Sequence, residues 1–296
     1  MKKQKIALFG DVQTLPYVRD TLALDHSLAP RIIDPAALLS SSAGLLASNV
    51  AYGVMASAMP RFFGRARLLG CRTVNHWIGT DVAQSLEDSR LHEQLRAHAG
   101  SIDIHLCVAP WLQQELAELG IAAHLVPIVP PDLAPDPLPM PAKHGVLAYA
   151  NEGREAFYGI PGFVSLAREF SGTDFYLCGT STAPENAPGN LQVMGRLGRT
   201  KMRSVYEKTS VLYRLPEHDG LSKMVLEALS HGREVLWIHE MEGVRTARDG
   251  NSARQALGEI LSASPRPNEA GLSAIAETYN PTRIARRTAE ILRGEE

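Results

Sequence analysis

The residue types best suited to chemistry are concentrated in one stretch, Leu215-Pro216-Glu217-His218-Asp219-Gly220-Leu221-Ser222-Lys223-Met224-Val225-Leu226-Glu227-Ala228-Leu229-Ser230-His231-Gly232. Leu221, Val225, Ala228, Leu229 and Gly232 recur at helical spacing, so a helix over 221–231 is expected to lay one apolar face on a sheet. Gly220 is expected to let the backbone turn tightly just before that helix. The amides of Leu221, Ser222 and Lys223 would then lack intrahelical acceptors and form an anion site. Two carboxylates bracket this site: Asp219 at the helix start and Glu227 two turns on, roughly 12 Å along the axis. A nucleoside diphosphate sugar has the same layout, with its diphosphate on the amides, hexose hydroxyls at Asp219 and ribose hydroxyls at Glu227. Carboxylates suit both ends because they accept strong hydrogen bonds from paired hydroxyls. Taken singly, Asp219 reads as an N-cap and Glu227 as a solvated helix residue. The combination with Gly220 and the apolar helix face favours a ligand site.

Alternating strands and helices are expected to position these groups. Strands are expected at 5–10, 31–33, 50–54, 72–78, 102–108 and 123–126, with helices over 55–69, 81–99 and 111–119 between them. Pro127 to Lys143 carries seven prolines, a density that reads as a semi-rigid linker. Alternation resumes with strands at 145–150, 174–179, 211–214 and 234–238, helices over 161–170, 202–208 and 221–231, and a charged amphipathic helix over 281–292. The pattern predicts an α/β protein of two Rossmann-like domains with mostly parallel sheets. Residues 1–130 form the first, 131–143 the linker and 144–280 the second, with the helix at about 281–296 packing back on the first.

The same residues resemble the signature of retaining glycosyltransferases of the GT-B fold, family 4 type, in which two acidic residues are separated by seven. Where the family has Glu-Gly-Phe-Gly-Leu-x-x-x-Glu, this chain has Asp219-Gly220-Leu221-Ser222-Lys223-Met224-Val225-Leu226-Glu227, followed by the similar Ala228-Leu229-Ser230-His231-Gly232. Met194-Gly195-Arg196, Val205-Tyr206 and Ser210-Val211 are similar to the family's strand, glycine, helix and strand before the signature, so Arg196 falls beside the base pocket. The family's diphosphate-gripping Arg and Lys follow the first strand of the second lobe; here Arg154 stands for the Arg, Tyr158 near the Lys position, and Lys223 as a substitute.

In the first lobe, Val74-Asn75-His76-Trp77-Ile78-Gly79-Thr80-Asp81-Val82 resembles a His-Gly-Ser-Asp-Val loop, whose histidine approaches sugar and phosphate. Two readings of His76 stand, this one and that of a structural histidine, while Asp81 reads as a cap of the next helix. Gly10 and Asp11 occupy the first-strand loop, where relatives contact acceptor or donor phosphate.

The resemblance implies two domains facing across a cleft and metal-independent transfer of a sugar, with retention, from a nucleotide sugar, by family habit a UDP-sugar. The acceptor is a glycan or lipid-linked molecule, as in polysaccharide biosynthesis. Asp219, His76 and Arg154 are the implied catalytic residues, and Gly220, Leu221, Ser222, Lys223, Glu227, Arg196 and Gly10 the donor-binding ones. No Asp-x-Asp pair of the metal-dependent kind occurs and no cofactor beyond the nucleotide-sugar co-substrate is expected, so cations and the helix dipole must offset the leaving diphosphate. Two alternatives are a GT-B epimerase, which would turn over donor without acceptor, and a non-catalytic nucleotide-sugar-binding subunit of a partner glycosyltransferase, which would bind donor without turnover.

Bulk properties bound these readings. A net charge of -2 offers no electrostatic footprint for nucleic acid. Cys71, Cys107 and Cys178 are three scattered cysteines with no CxxC pair, which favours a reducing compartment over a disulfide or zinc scaffold. The apolar run after the basic N-terminus, Ile6 to Phe9, is too short for a signal-peptide core, and no spanning helix is expected, so the chain reads as cytoplasmic. Met59 to Leu69 mixes three arginines with bulky apolar residues. It reads as an ordinary crossover helix, with peripheral contact to an anionic membrane as the alternative.

Overall fold

The computed structural model of the 296-residue chain describes residues 3–88, 90, 93, 95 and 98–295. The chain divides into two compact units, one of Met1–Asp132, His218–Leu221 and Tyr279–Glu296, the other of Leu133–Glu217 and Ser222–Thr278. Each is built on a six-stranded, fully parallel sheet, as buried runs such as Val50–Val54 and Phe175–Cys178 require when helices cover both faces.

In the first unit the order is β2-β1-β3-β4-β5-β6, with β1 Gln4–Gly10, β2 Leu28–Ile32, β3 Val50–Val54, β4 Arg72–Trp77, β5 Ile104–Cys107 and β6 His124–Leu125. Helices α1 Leu15–Leu22, α2 Leu38–Leu46, α3 Pro60–Leu68, α4 Thr80–Glu87 and α5 Pro110–Glu118 make the crossovers. Phe9, Ile33, Leu45, Phe62 and Phe63 fill one layer of the core between the sheet and the α2–α3 pair.

The helix expected over 81–99 is interrupted at Asp88, which turns to extended backbone (φ -105°, ψ 108°), and Arg90, Glu93, Leu95, His98 and Ala99 beyond it are again helical. Leu91, one of its expected apolar residues, lies outside the described residues. The strand expected at 31–33 sits earlier, with Gln4 to Leu8 of β1 pairing Leu28 to Ile32 in register.

The last helix, here α11 (Pro281–Arg293), belongs to the first unit and packs on α1. Asn280 caps it by accepting from the Arg283 amide, and Ile284, Ala285, Thr288, Ala289 and Leu292 form its buried face. The Leu292 carbonyl accepts from Gln4 Nε2 at 3.2 Å and Arg72 Nη1 at 2.8 Å, so the helix end is tied to β1 and β4.

The second unit has the order β12-β11-β10-β7-β8-β9, where β7 is Gly145–Tyr149, β8 Asp174–Cys178, β9 Leu191–Gly195, β10 Val211–Arg214, β11 Glu234–Trp237 and β12 Arg245–Thr246. Its helices are α6 Ile160–Glu169, α7 Arg199–Lys208, α8 Lys223–Ser230, α9 Gly250–Leu261 and α10 Glu269–Glu277. The strand order reverses between β7 and β10, the position at which ligands of open α/β sheets bind beyond the strand ends.

The proline-rich stretch is more firmly held than a linker reading implies. Its residues from Leu133 onward count to the second unit. Arg233, only 1% exposed, donates from Nε to the Tyr206 carbonyl at 3.0 Å, from Nη1 to that of Leu138 at 3.3 Å and from Nη2 to that of Pro139 at 2.9 Å. The Asp136 amide donates to the Ser230 carbonyl, the His231 ring bonds the Asp136 carbonyl, and Arg203 pairs with the Asp136 carboxylate. Proline removes amides along this stretch, and a buried guanidinium meets the carbonyls that remain.

Candidate functional site

Helix α8 starts at Lys223, two residues later than the spacing predicts, with Ser222 in extended backbone as its N-cap. The helix-opening amides are therefore those of Lys223, Met224 and Val225, and the Leu221 amide lies outside the first turn. Asp219 does not sit at the helix start, so the two-turn spacing to Glu227 along a common axis does not hold. The cause is local: Gly220 resists helix, and Ser222 stays in extended backbone without a side-chain cap bond. Val225, Leu226, Ala228 and Leu229 are fully buried and seat the helix on its sheet. Lys223, its first residue, is half-buried.

Glu227 is half-buried and accepts a hydrogen bond from the Tyr206 hydroxyl at 3.3 Å. Tyr206 is 2% exposed and packs its ring 5.1 Å from that of His231. Burial, and after it the nearby Glu227 carboxylate, push the phenol well above its usual range, so it stays a donor toward Glu227.

Arg154 projects from the loop after β7 and is exposed, with its guanidinium 4.1 Å from the Phe157 ring centroid and 5.9 Å from that of Tyr158. Arg214, the last residue of β10, lies 5.4 Å from the same Tyr158 ring. Arg196 is exposed just beyond β9, after Gly195 at φ +69°. The second unit thus brings Arg154, Arg214 and Tyr158 together at the strand-order reversal.

The remaining expected residues belong to the first unit. Segment 218–221 is held there at three points: the Trp111 indole donates to the Asp219 carbonyl at 2.8 Å, His218 Nε2 meets the Glu115 carboxylate at 3.1 Å, and Gly220 lies against Ile78 and Gly79. Hydrogen bonding to Glu115 is the largest cause that raises the His218 pKa. A Cβ on Gly220 would overlap the Ile78 carbonyl, and one on Gly79 would stand 2.8 Å from the Gly220 nitrogen. Gly220 has no positive φ, so glycine is required there for close backbone approach and not for the tight turn expected of it. Leu221 is half-buried and ends the segment.

His76 takes the structural reading. It is 1% exposed; its Nε2 bonds the Val126 carbonyl at 2.8 Å and its Nδ1 the Tyr52 hydroxyl at 2.7 Å. A carbonyl only accepts, so Nε2 carries the proton and Nδ1 accepts from Tyr52, leaving neither nitrogen for a ligand. Burial lowers its pKa to about 4, so the ring is neutral at pH 7.

Asp81 is not an N-cap. It lies in the first turn of α4, and its Oδ1 folds back to accept from the amides of Ile78 and Gly79 at 3.1 and 3.0 Å. Burial raises it to about 6 despite those bonds, and its Oδ2 is buried without a partner. Gly10 ends β1 at φ +116°, and a side chain there would overlap the Val54 carbonyl, which accepts from the Asp11 amide at 2.9 Å.

Arg214 lies outside every stretch of family resemblance, and Val205-Tyr206, although part of one, carries no sign there that the phenol meets Glu227. Arg214 had one detectable sign, a basic residue closing an otherwise buried apolar strand. Among the described residues no three His, Cys, Asp or Glu side chains converge to hold a metal ion, and no helix is long and apolar enough to cross a membrane.

The fold is α/β with two Rossmann-like units, each with a parallel six-stranded sheet, and it is the fold class of GT-B enzymes. Sucrose-phosphate synthase from Thermosynechococcus elongatus is similar over 99% of both chains, at 12% identity and a TM-score of 0.71. Anabaena HepE in complex with UDP-glucose matches over 98% of this chain and 99% of its own, at 8% identity and 0.70. A protein described as a UDP-N-acetylglucosamine 2-epimerase from Listeria monocytogenes matches over 100% and 96%, at 9% identity and 0.60. At these identities the likeness establishes the fold. No family model matches the chain, and no curated protein matches it in sequence.

Proposed function

We propose that this protein is a metal-independent retaining glycosyltransferase that moves a sugar from a nucleotide sugar, a UDP-sugar, to a glycan or lipid-linked acceptor. The observation that carries the reading is the second unit's strand-order reversal, furnished with Arg154 beyond β7 and followed, after β10, by the helix that holds Glu227 against Tyr206. The likeness to HepE, which was solved with UDP-glucose, supports a nucleotide-sugar donor.

In this reading Glu227 accepts from the ribose hydroxyls and Asp219 from the sugar. Arg154, Lys223 and the opening amides of α8 stabilise the departing diphosphate, whose charge develops as the glycosidic bond breaks. Arg196 borders the base. His76, enclosed in the first unit's core, positions the β4 strand end through Tyr52 and Val126 and takes no part in the chemistry.

Incubation with UDP-sugars and a panel of acceptors, with the anomer of the product read by NMR, tests the proposal. Transfer with retention in the presence of a chelator supports it; transfer with inversion or only with metal contradicts it. The likeness to the Listeria protein favours epimerisation as a second reading, which the same experiment reveals as donor conversion without acceptor.

A peripheral membrane contact belongs to the proposal through α2 and α3. Leu39 and Leu68 are 88% and 89% exposed, and Arg61 and Arg67 of α3 are exposed as well. Co-sedimentation with anionic but not neutral vesicles is the expected result.

A further inference from the structure

Two strands of the second unit end at the reversal point, and each sends a guanidinium to the same aromatic ring. We infer that Arg214 is a further cation of the donor's diphosphate site, in addition to Lys223, and acts together with Arg154. The inference rests on the nucleotide-sugar reading and names a residue of that same site.

Tyr158 is a fixed platform. Its hydroxyl accepts from Asn151 Nδ2 at 3.1 Å, while Asn151 Oδ1 accepts from the Tyr149 hydroxyl at 2.8 Å. Its ring meets those of Phe157 and Tyr149 edge to face, at 5.2 and 6.2 Å. The loop that carries it is locked to the exit of β10. The Glu217 amide donates to the Phe157 carbonyl at 2.9 Å, and the Tyr213 hydroxyl donates to that of Gly159 at 3.1 Å. Gly159, at φ +71°, admits the Leu215 carbonyl where a side chain would collide. Arg154 from one strand end and Arg214 from the other are therefore held about one ring, at 5.9 and 5.4 Å from its centroid.

A guanidinium is a planar fork of five donors that stacks on an aromatic ring and fits phosphoryl oxygens two at a time. One such group serves a single phosphoryl group; two, placed on either side of the reversal, serve a diphosphate. Arg214 also acts electrostatically on the Tyr206 hydroxyl, the donor to Glu227, which sets it between the phosphate platform and the ribose carboxylate.

Calorimetric titration of UDP, UMP and uridine into the full chain and its Arg214→Met variant tests this, with thermal unfolding as a control for folding. UDP affinity is expected to fall about 10- to 100-fold, the range for losing a charged hydrogen-bond partner, with uridine affinity unchanged. Arg214→Lys keeps the charge and is expected to recover part of the loss. The inference is overturned if Arg214→Met binds UDP like the wild type while Arg154→Met does not. Equal losses for UDP and uridine would overturn it as well, because they would show a structural effect. A wild-type chain that binds no nucleoside diphosphate would instead overturn the donor reading itself, without recourse to any variant.

Discussion

Acid should act on the first unit through His76, and the size of the effect follows from its burial. The ring is neutral in the folded chain and its pKa falls from 6.5 to about 4, so the unfolded chain takes up the proton first. The stabilisation is fully present above pH 6.5 and is lost as pH falls through about 4. The shift corresponds to about 3 kcal/mol in total, of which roughly 2.5 kcal/mol is lost by about pH 4.5. His76→Gln keeps a polar group between Tyr52 and Val126 but does not titrate. Stability can be followed by urea unfolding in a Trp237→Phe background, where Trp77 and Trp111 report the first unit alone. Wild type should lose roughly 2–3 kcal/mol more than His76→Gln between about pH 7 and 4.5. Parallel pH profiles for the two proteins would refute the burial argument and place a charged, solvated histidine at this position.

Asp81 should work in the opposite sense: burial raises its folded-state pKa from 3.8 to about 6, so its contribution is present below 3.8 and lost as pH rises through 6. Asp81→Asn should therefore gain stability relative to wild type above about pH 6 and lose that advantage near pH 4, measured by the same unfolding assay. Gly220→Ala forces a methyl into the Ile78 carbonyl and should destabilise by about 1–3 kcal/mol, seen as a lower Tm. Arg233→Met leaves the carbonyls of Tyr206, Leu138 and Pro139 without their donor. It should destabilise the second unit in denaturant unfolding, at about 1–3 kcal/mol for each buried carbonyl left unsatisfied.

Most strands of both sheets are legible because they are short, buried apolar runs such as Val50–Val54 and Val211–Tyr213, whereas β9 is half-buried along most of its length and β12 is a half-buried Arg-Thr pair, and neither stands out in the sequence. Helix α2 was not foreseen: its Leu-Leu-Ser-Ser-Ser-Ala-Gly-Leu-Leu sequence exposes Leu38, Leu39 and Leu46, so the apolar residues mark no single buried face. The start of α8 is displaced because the apolar periodicity extends through Leu221 while Gly220 disfavours helix and Ser222 stays extended. Glu227 and Gly220 stand out by residue type and spacing, and Arg154 by the family resemblance. The partners that define them do not, because Tyr206, Arg214 and Ile78 lie on other elements and meet them only through sheet order. His76 stood open in the sequence because a strand-end histidine looks the same whether it faces a ligand or a neighbouring tyrosine.

The central claim is that the second unit binds a nucleotide sugar without metal through Glu227. Titration of UDP into wild type and Glu227→Ala in the presence of a chelator tests it most directly. Wild type should give a saturable heat signal and the variant an affinity at least about tenfold weaker, as expected when a carboxylate that accepts from two hydroxyls is removed. Failure of the wild type to bind UDP or any other nucleoside diphosphate would contradict it, as would unchanged binding by Glu227→Ala.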